Sequence, residues 1–304
     1  MRTPRVSLRK IGFFVTTAEM GSISAASHVL NVSPAALSEA LADLEKDIEV
    51  DVFIRHKARG VTLTASGRRL LTEARRLLRH AEEFQALAGG PGDCVSGELT
   101  VGCFPSLLPF VIPNVLVSLR SRHPDLKLGL VEDSQDDLER AMLDGEIDMS
   151  VMYDLGIGPK IKRQQLFVCK PYVLLSPRHR LAAMNGPLDL ALLVDDPLIQ
   201  IDVQPGLPPH LFYCQGLTPR VAYRTTNYEL VRALVARDFG YAILAHCFAN
   251  NQTYEGLPLV LRPIANQVPP LSVVLAWPSE LHLQGRTKGF VDFCIELFKD
   301  RPQS

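Results

Sequence analysis

Basic side chains in the first third of the chain are spaced in a way that suits contact with phosphate groups. Arg55, Lys57 and Arg59 surround a short tip between two extended runs, Val52–Arg55 and Gly60–Leu63. Charge-assisted hydrogen bonds from such side chains to phosphate oxygens are strong, and a β-wing could lay them on a nucleic-acid backbone. From position 55 to 80 the chain has eight Lys or Arg and one acid, although its overall net charge is −1. The pattern predicts a local positive surface.

Three helices with recognisable starts precede this tip. Ser22 or Ser24 can cap a second helix after Gly21, and Ser33 can cap a third whose first residue is Pro34. Proline fits that position because its missing N–H is not needed there. Helix, turn and helix followed by a wing is typical of DNA-binding domains in which the last helix enters the major groove. The residues expected to contact DNA are Ser22, Ser24, Ser33, Pro34, Ala35, Ser38, Arg55, Lys57 and Arg59.

The third helix also carries an unusual amount of negative charge. Six acids and one lysine lie between Glu39 and Asp51. Phosphates would repel these carboxylates, so either they point away from the duplex or Glu39 accepts a hydrogen bond from a cytosine amino group. Affinity is therefore expected from the wing and the helix termini. Glu49 stands where a turn must follow the helix.

A long helix is predicted from Thr64 to Ala88, about 36 Å in length. Its apolar residues alternate spacings of four and three, which is typical of a coiled-coil seam: Leu70, Ala74, Leu77, Ala81, Phe84 and Ala88. The seam predicts a homodimer, although it could instead pack on the chain's own domains. The basic run Arg68–Arg79 is interpreted as a solvated face. The glycine- and proline-rich segment 89–93 then separates two modules.

The second module alternates strand and helix patterns, which predicts an α/β sheet of two lobes with a cleft between them. Ligands in such sheets bind at the carboxyl ends of strands, near helix amino termini. Three such ends are 104–106, 132–134 and 225–227. They favour a small anionic or polar ligand.

Several strings resemble the amino-terminal half of LysR-type transcriptional regulators. They are Ala25–Ala26, Val32–Ser38, Leu44–Glu45, Phe53–Arg55 and Arg59–Gly67, in that order and spacing. The resemblance implies a winged helix-turn-helix in residues 1–64, a dimerising linker helix and hinge in 65–92, and a periplasmic-binding-protein-like effector domain in 93–304. Lobe I of that domain would span about 93–158 and 256–304, and lobe II about 159–255.

The same resemblance implies an effector pocket between the lobes, assembly of dimers into a homotetramer, and contact with promoter DNA and RNA polymerase. The residues expected around the effector are Phe104, Ser106, Ser134, Tyr153, Asp202, Gln204, Thr225 and Asn227. Asp202 would face a ligand amine or an arginine of the protein.

Other kinds of chemistry find little support in the residues. The six cysteines form no CxxC pair, and neither a metal-binding histidine motif nor a GxSxG or GxGxxG motif occurs. Cys103 is interpreted as a packed thiol rather than a nucleophile. We therefore expect no metal, no cofactor, no catalysis, no membrane span and a cytoplasmic location. The alternative function is a small-molecule-binding protein or α/β enzyme whose first helices serve only for assembly.

Overall fold

The computed structural model describes residues 5–56, 60–88, 96–202, 211–245, 251–281, 283 and 285–299. Its helices are α1 (Leu8–Met20), α2 (Ile23–Val29), α3 (Pro34–Ile48), α4 (Ala65–Ala88), α5 (Leu108–Arg122), α6 (Gln135–Leu143), α7 (Tyr228–Ala236) and α8 (Gly285–Phe298). Its strands are β1 (Phe53–His56), β2 (Gly60–Leu63), β3 (Gly97–Cys103), β4 (Leu126–Glu132), β5 (Met149–Tyr153), β6 (Ile161–Cys169), β7 (Tyr172–Leu175), β8 (Pro197–Ile201), β9 (Arg220–Thr225), β10 (Ala242–Leu244), β11 (Val260–Pro263) and β12 (Leu271–Pro278).

The first three helices and the β1–β2 hairpin form a winged helix-turn-helix, called the head below, as the sequence predicts. Ser22, not Ser24, caps α2, because its hydroxyl accepts a hydrogen bond from the Ala25 amide at 3.3 Å. Gly21 ends α1 with a positive φ of 61°, and its carbonyl accepts from the Val61 amide at 2.9 Å. This bond fixes the wing against the α1–α2 turn. The buried apolar side chains of α1, α3 and the wing form one core.

Lobe I contains a five-stranded mixed sheet in the order β4-β3-β5-β12-β6. The three strands β4, β3 and β5 are parallel, so their carboxyl ends share one edge of the sheet. Helices α5, α6 and α8 cover the sheet, and their apolar side chains join those of the strands in one large buried cluster. Burial of this apolar surface is the main source of the lobe's stability.

Lobe II is built from a β10-β7-β11 sheet and a parallel β8–β9 pair. A bridge between Leu198 and Tyr241 connects the two groups of strands. Helix α7 packs on one side of them, and the apolar side chains divide into two buried clusters. The chain thus has the two-lobed α/β architecture expected for the second module.

Two expectations for α4 need correction. The supposed dimer seam is partly covered by the chain itself: Ala74 is buried in the core of the head and Leu70 packs against it, whereas Leu77 and Phe84 are exposed. The basic run is not a uniformly solvated face either, because Arg75 and Arg79 lie against lobe I with side chains only 14% and 12% exposed. The helix therefore lies between the head and lobe I and contacts both.

Within the described residues, no helix combines the length and the apolar character that crossing a bilayer requires.

Candidate nucleic-acid interface and effector cleft

The exposed residues at the amino-terminal end of α3 have small, weakly polar side chains. Ser33 caps the helix, its hydroxyl accepting from the Ala36 amide at 3.1 Å. Pro34 and Ala35 are exposed and Ser38 is half-buried, so these side chains form an accessible surface around the first turn, the candidate reading surface. Free amide groups at a helix start also attract phosphate oxygens.

Several of the acids on α3 have partners within the head. The Lys10 ammonium lies 2.9 Å from the Asp47 carboxylate and 3.5 Å from that of Asp43. The hydrogen bond to Asp47 raises the pKa of Lys10. Glu45 turns toward the wing, where Oε1 accepts from the amides of Val52 and Phe53 at 2.9 and 3.1 Å.

Glu45 also positions the one predicted wing cation that the structure describes. Its Oε2 lies 3.2 Å from Nη2 of Arg55, whose side chain is still 46% exposed. An exposed pair of this kind is weak and easily rearranged, so Arg55 keeps its capacity to bind phosphate. Lys57 and Arg59 lie outside the described residues. Glu49 ends α3 in the left-handed region, with a φ of 57°, which an acidic residue tolerates less well than glycine.

The carboxyl ends of β3 and β5 bring together three of the predicted effector residues. The hydroxyls of Ser106 and Tyr153 are 3.0 Å apart and buried. The ring of Phe104 meets that of Tyr153 edge to face, with centroids 5.5 Å apart. Burial is the main reason that the pKa of Tyr153 lies well above its usual value.

Tyr228 of lobe II joins this group, although sequence reasoning missed it. Burial raises the pKa of Tyr228, and its hydroxyl lies close enough to those of Ser106 and Tyr153 to interact with them. These three hydroxyls, called the interlobe hydroxyl cluster below, come from both lobes. The signal that could have found Tyr228 is its place as the first residue of α7, directly after the polar strand end 225–227.

The remaining predicted effector residues have other partners. Ser134 caps α6 and hydrogen-bonds the Asp137 carboxylate, which lowers the pKa of Asp137. Thr225 accepts from the Asn227 amide at 3.1 Å, and Asn227 caps α7 by accepting from Leu230 at 2.9 Å.

Asp202 and Gln204 complete the predicted set. Asp202 lies 3.6 Å from Nη1 of Arg224, both side chains about half exposed, which fits the expectation of a protein arginine as its neighbour. Gln204 lies outside the described residues.

A second polar side chain at the cleft edge of lobe I was also missed. Gln135, the first residue of α6, is only 3% exposed and donates to the carbonyl of Leu155 just beyond β5. Its Oε1 has no hydrogen-bond partner in the described part of the chain. A buried acceptor of this kind costs free energy unless it is satisfied. It is a candidate contact for a ligand that carries a hydrogen-bond donor.

Cys103 ends β3 beside this cleft and is fully buried. Burial, with a smaller contribution from the Glu132 carboxylate, raises the pKa of its thiol to about 12. A protonated thiol is a poor nucleophile. Among the described residues, no three His, Cys, Asp or Glu side chains are grouped as a metal site would need.

A winged reading head joined through a long helix to a two-lobed domain with a polar cleft defines a class of proteins: regulators that bind DNA and respond to a ligand. Comparison with known families identifies which regulators these are. Residues 8–68 match the bacterial regulatory helix-turn-helix proteins of the lysR family, and residues 93–299 match the LysR substrate binding domain. The chain therefore belongs to the LysR family of transcriptional regulators.

Individual relatives match this chain over nearly its full length. The Hca operon transcriptional activator HcaR of Escherichia coli is 29% identical over 90% of this chain and 92% of its own. The crystal structure of HinK, a LysR family regulator from Pseudomonas aeruginosa, is 30% identical, with a TM-score of 0.64 over 96% of this chain and 99% of that one. A full-length OxyR variant from the same organism has a TM-score of 0.77 at 22% identity over 97% of this chain and 98% of its own, which shows the shared fold.

Proposed function

We propose that this regulator binds double-stranded promoter DNA through α3 and the wing, and that a small polar or anionic effector binds between its lobes. The observation that carries the first part is the reading surface of α3, where exposed Pro34 and Ala35 follow the capped helix start. The residues proposed to contact DNA are Ser22, Ser24, Ser33, Pro34, Ala35, Ser38, Arg55, Lys57 and Arg59.

Titration of fluorescent DNA from the gene's own upstream region, followed by anisotropy at several salt concentrations, tests DNA binding. Affinity should fall steeply with salt, because bound phosphates release counterions. Arg55→Ala should lower the slope of log affinity against log salt by about one. Arg220→Ala, which removes an exposed arginine of β9, is the matched control and should leave the slope unchanged. A slope that is the same in wild type and Arg55→Ala would remove the wing from the proposal.

The proposed effector site includes the interlobe hydroxyl cluster together with Phe104, Ser134, Asp202, Gln204, Thr225 and Asn227. Support comes from the hydrogen-bonded hydroxyls of Ser106 and Tyr153, which lie near Tyr228 of the opposite lobe. A ligand that replaces these bonds would change how the lobes are connected, and its effect is limited by its differential affinity for the two arrangements.

A thermal-shift screen of small carboxylates, aromatic acids and polyols tests the effector site. A ligand that binds the native state raises the unfolding temperature. The shift should shrink in Ser106→Ala and Thr225→Ala but persist in Ser118→Ala, on α5. Full shifts in both cleft variants would discredit this pocket.

We further propose that the chain divides into residues 1–64, 65–92 and 93–304, with the lobe boundaries given above. Exposed Leu77 and Phe84 on α4 support a homodimer through this helix, since they lie seven residues apart on one face. Assembly into a homotetramer, contact with RNA polymerase and a cytoplasmic location belong to the same proposal. Sedimentation of Leu77→Asp should show loss of the dimer, whereas Leu192→Asp in lobe II should not.

A further inference from the structure

The face of α4 that meets lobe I carries arginines whose partners belong to other parts of the molecule. Arg75 and Arg79 are four residues apart and therefore project from the same side of the helix. Both guanidinium groups are largely buried. Arg69, on the same helix, is exposed and serves as a comparison.

Arg75 joins three elements through one guanidinium group. Its Nη2 lies 3.2 Å from the Glu19 carboxylate of α1, and its Nη1 lies 3.2 Å from the Glu146 carboxylate of lobe I. The same Nη1 donates to the carbonyl of Asp144 at 3.3 Å. The head, the linker helix and the turn after α6 are thus held around one positive charge.

Arg79 extends this connection into the sheet of lobe I. Its Nε lies 2.9 Å from Oδ1 of Asp148, and its Nη2 donates to the carbonyl of Gly145 at 3.2 Å. The other oxygen of Asp148 accepts from the Thr100 amide of β3 at 2.8 Å. The Asp148 side chain is only 11% exposed. Removal of Arg79 would leave that carboxylate largely buried without its cation, which is a strongly unfavourable state.

One helical turn further along α4, Glu82 continues the same contact. Its carboxylate lies 2.8 Å from Nη2 of Arg286, in α8 of lobe I, whose side chain is 8% exposed. Arg76 also forms an ion pair with Glu280, which follows β12. Ion pairs therefore run along the helix from residue 75 to residue 82. We call Arg75, Arg79 and their carboxylate partners the docking cluster.

The docking cluster contacts the middle of β3 and the start of β5, and the effector cleft lies at the carboxyl ends of the same two strands. Thr100 belongs to β3, which leads to Ser106, and Asp148 directly precedes β5, which ends at Tyr153. Five residues of extended strand span about 17 Å. The strands are neighbours in the sheet, so they form one stiff connection between the cleft and α4.

We propose that Arg75 and Arg79 are positioning residues that fix the orientation of the DNA-binding head on lobe I, and so connect the head to the strands that end at the effector cleft. This inference rests on the proposed function for its biological meaning. The docking itself does not require DNA or effector. It can therefore be tested in the absence of both.

Pulsed electron spin resonance on the full-length protein measures the orientation. Spin labels are attached to Val29→Cys on α2 and Lys127→Cys on β4, two exposed sites, after Cys94, Cys214 and Cys247 have been replaced by Ser. Dilution with unlabelled protein removes distances between chains. The parent protein should give one narrow distance distribution. Arg79→Gln and Glu146→Arg should each broaden or shift it.

Rescue distinguishes ion pairing from a general packing role. Arg79→Lys should keep the narrow distribution. Combining Arg75→Glu with both Glu19→Arg and Glu146→Arg, which reverses the charge of both carboxylate partners, should narrow the distribution that Glu146→Arg broadens. Arg69→Gln is the matched control and should change nothing. Circular dichroism checks that each variant is folded. Since Glu146 is 53% exposed, its substitution remains informative even where Arg79→Gln fails to fold.

Two results would overturn the inference. One is a narrow, unshifted distribution in Glu146→Arg and Arg79→Gln alike; where Arg79→Gln does not fold, the result for Glu146→Arg alone decides. The other is broadening in Glu146→Arg that the combination of Arg75→Glu, Glu19→Arg and Glu146→Arg does not reverse, because ion pairing would then not be the cause. Failure of the DNA titration would leave both measurements untouched, so the two proposals can fail separately.

Discussion

The candidate reading surface of the head and the proposed effector cleft differ in how ready they are for a ligand. On the head, Pro34 and Ala35 are exposed on a rigid capped helix that needs little rearrangement to contact a duplex. In the cleft, the hydroxyls of Ser106 and Tyr153 are buried and already bonded to each other. A ligand of the cleft must therefore exchange hydrogen bonds with the protein, whereas DNA binding mainly exchanges counterions. The cleft is therefore suited to a change of conformation when a ligand binds, and the head to binding DNA without one.

The comparison also predicts that each region depends on its own core. Leu41 is fully buried in the head and Leu138 is fully buried in lobe I, in clusters that share no residue. Leu41→Ala should lower the free energy of unfolding of the head by about 2–5 kcal/mol, because it leaves a cavity. Differential scanning calorimetry should show the head transition falling much further than that of the effector domain. Leu138→Ala is the matched variant and should show the reverse; a common shift in both would mean one cooperative unit.

The same contrast explains how much the sequence could reveal. The head depends on neighbours in sequence, so the Ser33 cap, the Pro34 start and the wing strands can be predicted from local rules. The βαβ order of lobe I was equally readable. What the sequence could not show was contact between distant segments. Tyr228 lies 75 residues beyond Tyr153 in the chain but near it in space. Arg79 forms an ion pair with Asp148, which belongs to another domain.

The linker helix shows the same limit most clearly. Periodicity predicts that its apolar stripe is buried but not which surface buries it. Ala74 packs on the head, whereas Leu77 and Phe84 remain exposed. Likewise, a run of arginines looks solvated until the acids of lobe I are placed opposite it.

Ser33 allows helix capping to be separated from DNA reading. Ser33→Ala should lower the stability of the head by about 1 kcal/mol, since the Ala36 amide loses its acceptor. Ser33→Asp should keep the cap but weaken DNA binding, because it brings a negative charge to the proposed phosphate contact. Thermal unfolding and anisotropy titration measure the two effects. Ser24→Ala is the control for capping, since Ser24 does not cap α2. Equal DNA affinity in Ser33→Asp and wild type would exclude this helix start from the interface.

Substitution of Tyr153 tests whether its hydrogen bond to Ser106 stabilises the effector domain in the absence of ligand. Tyr153→Phe keeps the ring contact with Phe104 but removes a hydroxyl from the interlobe hydroxyl cluster. The effector domain should lose about 0.5–1.5 kcal/mol of stability, the usual worth of such a hydrogen bond. Chemical denaturation gives the value, and Tyr223→Phe on exposed β9 is the control. A loss no greater than that of the control would mean that the hydrogen bond between Ser106 and Tyr153 adds nothing to the stability of the effector domain.

Cys103 should show the smallest effect, because burial beside the cleft keeps its thiol protonated and unreactive. With a pKa of about 12, raised by burial, its thiol is protonated at pH 8 and only about one molecule in 10⁴ carries the thiolate. Brief treatment of the native protein with iodoacetamide should leave Cys103 unmodified, while exposed Cys214 reacts. Peptide mass spectrometry measures both sites in one sample. Alkylation of Cys103 as fast as that of Cys214 would show that the end of β3 opens to solvent, and the contrast between a closed cleft and an open reading surface would then fail.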